Sequence, residues 1–199
     1  TTNNSVFPFP VYADNKSEFI YDSVTMAGLG YGPGYITDFR FIITAMGVLA
    51  PRERFQIRMA NMDNSVTRID NQTYTSSAMQ IVYDSVFTIM PSAPNTYMNV
   101  HLQDTFFYSG SDLVVQVIYD ALHNVQATAI KHIPTPNNKR SLYSDVADAY
   151  LGCDPFTNEN FESGETTTTR PWLQFMATKN LPLTSDCGVS SLIYPSFTT

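Results

Sequence analysis

The chain has 199 residues, of which 43% are hydrophobic, 13% aromatic and only 15% charged, and its formal net charge is −7. That much apolar material supports a core and excludes global disorder, and the length suits one large all-β domain. The acidic balance and scattered Lys and Arg argue against a nucleic-acid partner, which needs a clustered basic face, and no apolar run approaches the length of a helical membrane span.

After the polar Thr1–Ser5, the run Val6-Phe7-Pro8-Phe9-Pro10-Val11-Tyr12 alternates apolar residues with prolines. Proline cannot donate to a ladder, so residues 1–16 read as an extended arm or edge strand carrying Phe7, Phe9 and Val11. Ser17–Val24 is a strand candidate, ended by Gly28, Gly30, Gly32 and Gly34 with Pro33. No Gly-Lys-Ser/Thr follows, so the glycines read as a tight, tyrosine-bearing loop rather than a phosphate cradle. Tyr35–Ile43 places Phe39, Phe41 and Ile43 on one side and Asp38 and Arg40 on the other. Arg54–Ala60 repeats the pattern, with Phe55, Ile57 and Met59 inward and Arg54, Gln56 and Arg58 outward. Arg52, Arg54 and Arg58, the densest cationic group, then form the solvent side of that strand. Met79, Ile81 and Tyr83 mark a further strand after a polar loop.

Tyr97–Asp120 is the organising stretch. Met98, Val100 and Leu102 alternate with Tyr97, Asn99, His101 and Gln103, the two-residue period of a half-buried strand. Ser109-Gly110-Ser111-Asp112 supplies a turn, and Leu113–Tyr119 is apolar except at Gln116, as in a strand covered on both faces. Two central strands are therefore expected here. Val125–Ile133 reads as the next strand, and within Asp145–Gly164 only Val146–Leu151 could form a helical turn. Arg170-Pro171-Trp172-Leu173-Gln174-Phe175 reads as the closing strand, with the single Trp sealing the core. Residues 178–199 form a second arm with strand-forming Val189, Leu192, Ile193 and Tyr194. About eight to ten short strands without a long helix predict an antiparallel two-sheet β-sandwich of jelly-roll type spanning 17–177.

The chemistry-bearing residues are sparse. Cys153 and Cys187 have no CxxC partner, and His101, His123 and His132 lie far from them in sequence, so no zinc site is expected. In an exported protein the two cysteines would form one disulfide tying back the second arm, closing a loop of about 34 residues and worth about 3–4 kcal/mol; in a reducing compartment they are two thiols. A chain opening on Thr rather than Met is expected to be a processed form. No Gly-x-Ser-x-Gly, His-Glu-x-x-His or catalytic-cysteine pattern is present, which points away from an enzyme, and His101 falls on the polar face of its strand.

Four segments in order resemble the secreted β-sandwich domains of Bacteroidota surface adhesins, the group that includes cleaved-adhesin domains. SEFIYDSV is similar to their early Ser-x-x-Ile-Tyr strand, and GYITDFRFII with RERFQIRMAN to their next strand pair. VHLQDTFFYSGSDLVVQVIYD resembles their long hairpin, with Asp112 in place of the usual Asn, and RPWLQF resembles the closing Arg-Pro strand. Together they cover residues from about 17 to 176. The resemblance implies an extracellular or cell-surface, non-catalytic domain. It also implies a structural calcium held through a glutamate shortly after the Ile-Tyr pair; Thr25 stands at that position, so no cofactor is expected by that route. Asp63 with Asp70, and Asp145 with Asp148 and Asp154, remain as loop carboxylates that could hold a cation or simply be solvated. Asp22-Ser23-Val24 and Asp84-Ser85-Val86 resemble the Asp-Ser-apolar O-glycosylation acceptor of the same bacteria, which makes Ser23 and Ser85 candidate glycan sites.

Two roles follow as expectations. In one the subunit assembles with copies of itself, as a filament or surface layer, by adding an apolar arm to a neighbour's sheet edge. In the other it binds a glycan or surface protein through loops carrying Tyr31, Tyr35, Tyr143 and Tyr150.

Overall fold

The computed structural model describes residues 3–5, 8–9, 14–45, 51–62, 79–88, 94–120, 128–134, 141–146, 165–167 and 169–179. These form the expected all-β sandwich of two antiparallel sheets, with one short helix, α1 (Ser23–Gly28). Sheet A contains β1 (Asn3–Ser5), β3 (Gly34–Ala45), β6 (Thr96–Tyr108), β8 (Ala129–Pro134), β11 (Thr169–Pro171) and β12 (Gln174–Lys179). Sheet B runs in the order β10 (Glu165–Thr167), β9 (Ser141–Val146), β2 (Asp14–Tyr21), β7 (Asp112–Asp120), β4 (Pro51–Met62), β5 (Gln80–Thr88).

The alternation read from sequence builds the space between the sheets. Phe39, Phe41, Ile43, Met98, Val100 and Leu102 face it from sheet A, and Phe19, Phe55, Ile57, Met59, Val115 and Val117 from sheet B. Each such side chain stabilises the fold by about 1.5–3 kcal/mol relative to exposure. Phe9 lies among them, 0% exposed, edge-on to Phe41 at 5.3 Å and stacked over Phe55 at 6.2 Å. Phe9 was expected in an arm reaching outward; instead its ring is the plug between the two sheets. Asn3–Ser5 pairs with β8 of the same chain and β2 already begins at Asp14, so the first sixteen positions, where described, belong to the sandwich.

β7 is buried at every position but its last and pairs on both sides, as its run, apolar except at Gln116, predicts. Its partner in the expected central pair is placed differently: β6 pairs, among the described residues, only with β3 and borders sheet A. The turn Ser109–Ser111 thus crosses between sheets. β3 and β8 pair only at Ile43–Ala45 and then diverge, and the closing segment fills the gap, β11 on β8 and β12 on β3. Leu173 and Phe175 point inward from that segment. Trp172, expected to seal the core, does not: it is half-buried and packs outside under Lys131, because its backbone N–H is committed to Lys131 O and the inward positions fall on its neighbours.

Ser17–Val24 does not stay extended. The strand ends at Tyr21, and Asp22 caps α1 by accepting the Thr25 N–H at 2.7 Å. In β5 a register shift opposite Ile57/Arg58 turns Val82 into the core and leaves Ile81 44% exposed, reversing the expected phase.

Candidate functional site

Two places gather functional groups, and their chemistry differs. The first is interior. Arg170, 1% exposed, crosses from sheet A to sheet B, where its Nη1 donates to the Ile20 carbonyl at 2.6 Å and to Asp22 Oδ2 at 3.1 Å. The guanidinium carbon lies 4.9 Å from the centre of the Tyr21 ring, and the Tyr21 hydroxyl donates to Pro171 O at 3.0 Å. Asp112 Oδ1 accepts the Ser23 N–H at 2.7 Å, holding α1 against the start of β7. Burial alone would raise the Asp22 carboxyl, but the Thr25 bonds and the Arg170 cation outweigh it and hold the group below the usual carboxylate range. Burial also drives the Tyr21 phenol far above its ordinary value. A carboxylate fixed as charged and a phenol fixed as neutral exchange no proton near pH 7. This cluster is a clasp between sheets, and it explains why an Arg-Pro pair opens the closing strand.

The second place is the outer face of sheet A. Directly opposed residues form rows across β6, β3 and β12: Tyr97 beside Ile42; Asn99, Arg40 and Gln174; His101, Asp38 and Met176; Phe107 beside Tyr35. The outer rows are aromatic and exposed, Tyr97 at 49%, Tyr35 at 43% and Phe107 at 41%, with the Tyr35 and Phe107 rings 5.3 Å apart. The inner rows, apart from Met176, are planar and polar. His101 Nδ1 sits 2.6 Å from Asp38 Oδ1. Burial would raise Asp38, but hydrogen bonds from His101 and Thr37 and the nearby cations hold it below the usual range. Lys131 Nζ lies 4.2 Å over the Trp172 ring, and the Arg40 guanidinium is 5.9 Å from that of Tyr97.

Sheet B differs among the described residues. Its outward side is buried over β2, β7 and β4, with Ile20, Ala60, Met62, Met79 and Val114 forming a second apolar cluster, while its border strand β5 leaves Ile81 and Val86 exposed. Gln56 and Arg58, read from sequence as solvent-facing, are 5% and 7% exposed, and Glu18 and Gln116 are 0% exposed. They join in a polar ladder: Gln116 Nε2 donates to Glu18 Oε2, Arg58 Nε to Gln56 Oε1, and Gln56 Nε2 to Asp84 Oδ2. Alternation could not reveal this, because charged residues on one face of a strand look the same whether that face meets water or is covered. Arg54, on the same strand, does stay outward, 4.0 Å from Asp120.

The residues singled out in sequence scatter. Ser23 is half-buried in the first turn of α1, whereas Ser85 is exposed on β5, with Val86 59% exposed beside it. Thr25 spends its N–H on Asp22. Tyr31, expected in a binding loop, is edge-on to Phe175 and its hydroxyl accepts the Phe175 N–H at 3.2 Å, so it is a packing residue. Tyr143 and Asp145 lie on β9. Cys153, Cys187, Asp63, Asp70, Asp148, Asp154, Tyr150, Phe7, Val11, Val189, Leu192, Ile193 and Tyr194 lie outside the described residues. Among the described residues no three His, Cys, Asp or Glu side chains converge as metal ligands. Neither a protein-family model nor a curated protein matches this chain.

Proposed function

We propose that the chain is a non-catalytic, extracellular sandwich module of the adhesin type, and that it holds a glycan or protein partner on the outer face of sheet A. The observation that carries this reading is the asymmetry of the two faces. Sheet B is buried over β2, β7 and β4 down to Glu18 and Arg58, and sheet A leaves three aromatic rings exposed around a band of hydrogen-bonding side chains. Aromatic and arginine side chains supply most of the binding energy at recognition surfaces. The binding surface is thus a strand face rather than the loops.

Self-assembly through the N-terminal arm is the weaker role, since Phe9 and Asn3–Ser5 are consumed within their own sandwich. Screening the domain against immobilised glycans and surface proteins, with Tyr97→Ala and Phe107→Ala as paired variants, tests the assignment. Loss of about tenfold or more in affinity for a captured partner, with the melting temperature unchanged, is expected for each. A partner whose binding neither substitution alters would remove the site from this face.

A further inference from the structure

Resting on that reading, we infer that the ligand is an acidic polysaccharide, gripped at the Tyr97–Arg40–Trp172–Lys131 end of the sheet A face. The chain as a whole is acidic, with a net charge of −7. Its described cations are mostly committed elsewhere: Arg170 is paired with Asp22, and Arg54 faces Asp120. Arg40 and Lys131 are the contrast. Neither makes an ion pair within contact distance among the described residues, although the Arg40 charge acts on Asp38 in the next row, and each is associated with an aromatic ring. Among the described residues, the one hydrogen bond from the Arg40 fork goes from Nη2 to Met176 Sδ at 3.2 Å, a weak acceptor, while its Nε–H is buried without a partner and closed to a ligand. A guanidinium held this way keeps only its terminal amino groups in hand for a carboxylate or sulfate.

The register places the groups close together. Arg40 stands directly between Asn99 and Gln174, Tyr97 is two residues along β6 from Asn99, and Trp172 is two residues before Gln174. The Trp172 N–H is bonded to Lys131 O, which brings the second cation onto the next strand. The Tyr97 and Trp172 rings for the apolar face of a sugar, the Asn99 and Gln174 amides for hydroxyls, and two cations without an ion pair among the described residues for the acidic groups together match a chain of uronic or sulfated sugars. A neutral glycan would leave both cations without an acceptor, and a simple polyanion would leave both rings uncovered.

Affinity electrophoresis or calorimetry with polygalacturonate, a neutral xylan and polyglutamate separates these cases. The expected result is binding to polygalacturonate that falls as salt rises, with weaker or no binding to the other two. Arg40→Gln and Lys131→Gln should each lower affinity for polygalacturonate by about tenfold, Arg40→Lys should recover part of the loss, and all should melt near the parent temperature. Equal binding of xylan and polygalacturonate, unchanged in Arg40→Gln, would overturn the acidic-sugar assignment and leave the sheet A site standing. Equal binding of polyglutamate would overturn the sugar assignment. Failure to bind any glycan or protein, for parent and variants alike, would bring down the site itself.

Discussion

Asp22 carries more of this fold than its position beside a short helix suggests. One oxygen caps α1 and the other receives Arg170, whose charge is almost wholly removed from water. Removing the carboxylate strands a buried cation, so Asp22→Ala should cost about 3–5 kcal/mol in a urea titration. The pH dependence has a definite sign. A carboxyl held below its ordinary value of 3.8 adds stability that is fully present above that pH and is lost as pH falls through the folded value. The parent should therefore lose stability steeply below about pH 4, and Asp22→Asn should flatten that slope. Tyr108 is the opposite case. It is 2% exposed, its hydroxyl has no hydrogen-bond partner among the described residues, and burial together with the Asp112 and Asp22 charges pushes it up to about 12. A phenol raised in the folded state adds stability that is present below 10.0 and drains away as pH climbs to about 12. Tyr108→Phe should be close to neutral at pH 7, since it deletes an unpaired polar atom, and should resist alkaline unfolding better than the parent. A Tyr108→Phe variant that unfolds earlier in alkali would mean the hydroxyl is paired after all.

At the level of strands, the open flank of the sandwich is closed by amide side chains. Gln80 Nε2 donates to Thr105 O at 3.0 Å, Asn61 Nδ2 to Phe107 O at 2.9 Å, and the Asp84 and Ser109 N–H groups donate to Gln103 Oε1 and Asn61 Oδ1 at 2.7 and 2.9 Å. Backbone groups along two sheet borders are thereby occupied, which blunts them against pairing with another chain. Asn61→Ala removes two of these bonds, so it should cost about 1–3 kcal/mol and raise self-association measured by sedimentation velocity. Unchanged sedimentation across a concentration series would show that the amides do not guard the border. None of this seam was legible in the sequence, because Gln and Asn at strand positions look like ordinary solvent-facing residues until the opposite sheet is in place.

Across the whole molecule, what the sequence made legible was the period. Phe39, Phe41 and Ile43, Phe55, Ile57 and Met59, and Met98, Val100 and Leu102 all face the core as their spacing requires. What it hid was long-range. Whether Gln56 and Arg58 meet water depends on a cover that no local pattern encodes, and whether Trp172 faces in or out depends on its bond to β8. The candidate binding face was half visible: Tyr97, Asn99 and His101 fell on the polar side of one strand, but their neighbours Arg40 and Gln174 come from segments far off in the chain.

The wedge formed by Thr169–Lys179 also bears on when this protein can exist. Arg170 reaches back across 148 residues to Asp22, and the Tyr21 hydroxyl reaches forward across 150 to Pro171. A nascent polypeptide that has emerged as far as β8 still has β3 and β8 parted and an interior without its closing side chains. Completion of the sandwich is thus expected only once Thr169–Lys179 has been synthesised, so a chain truncated before Thr169 should lack cooperative unfolding.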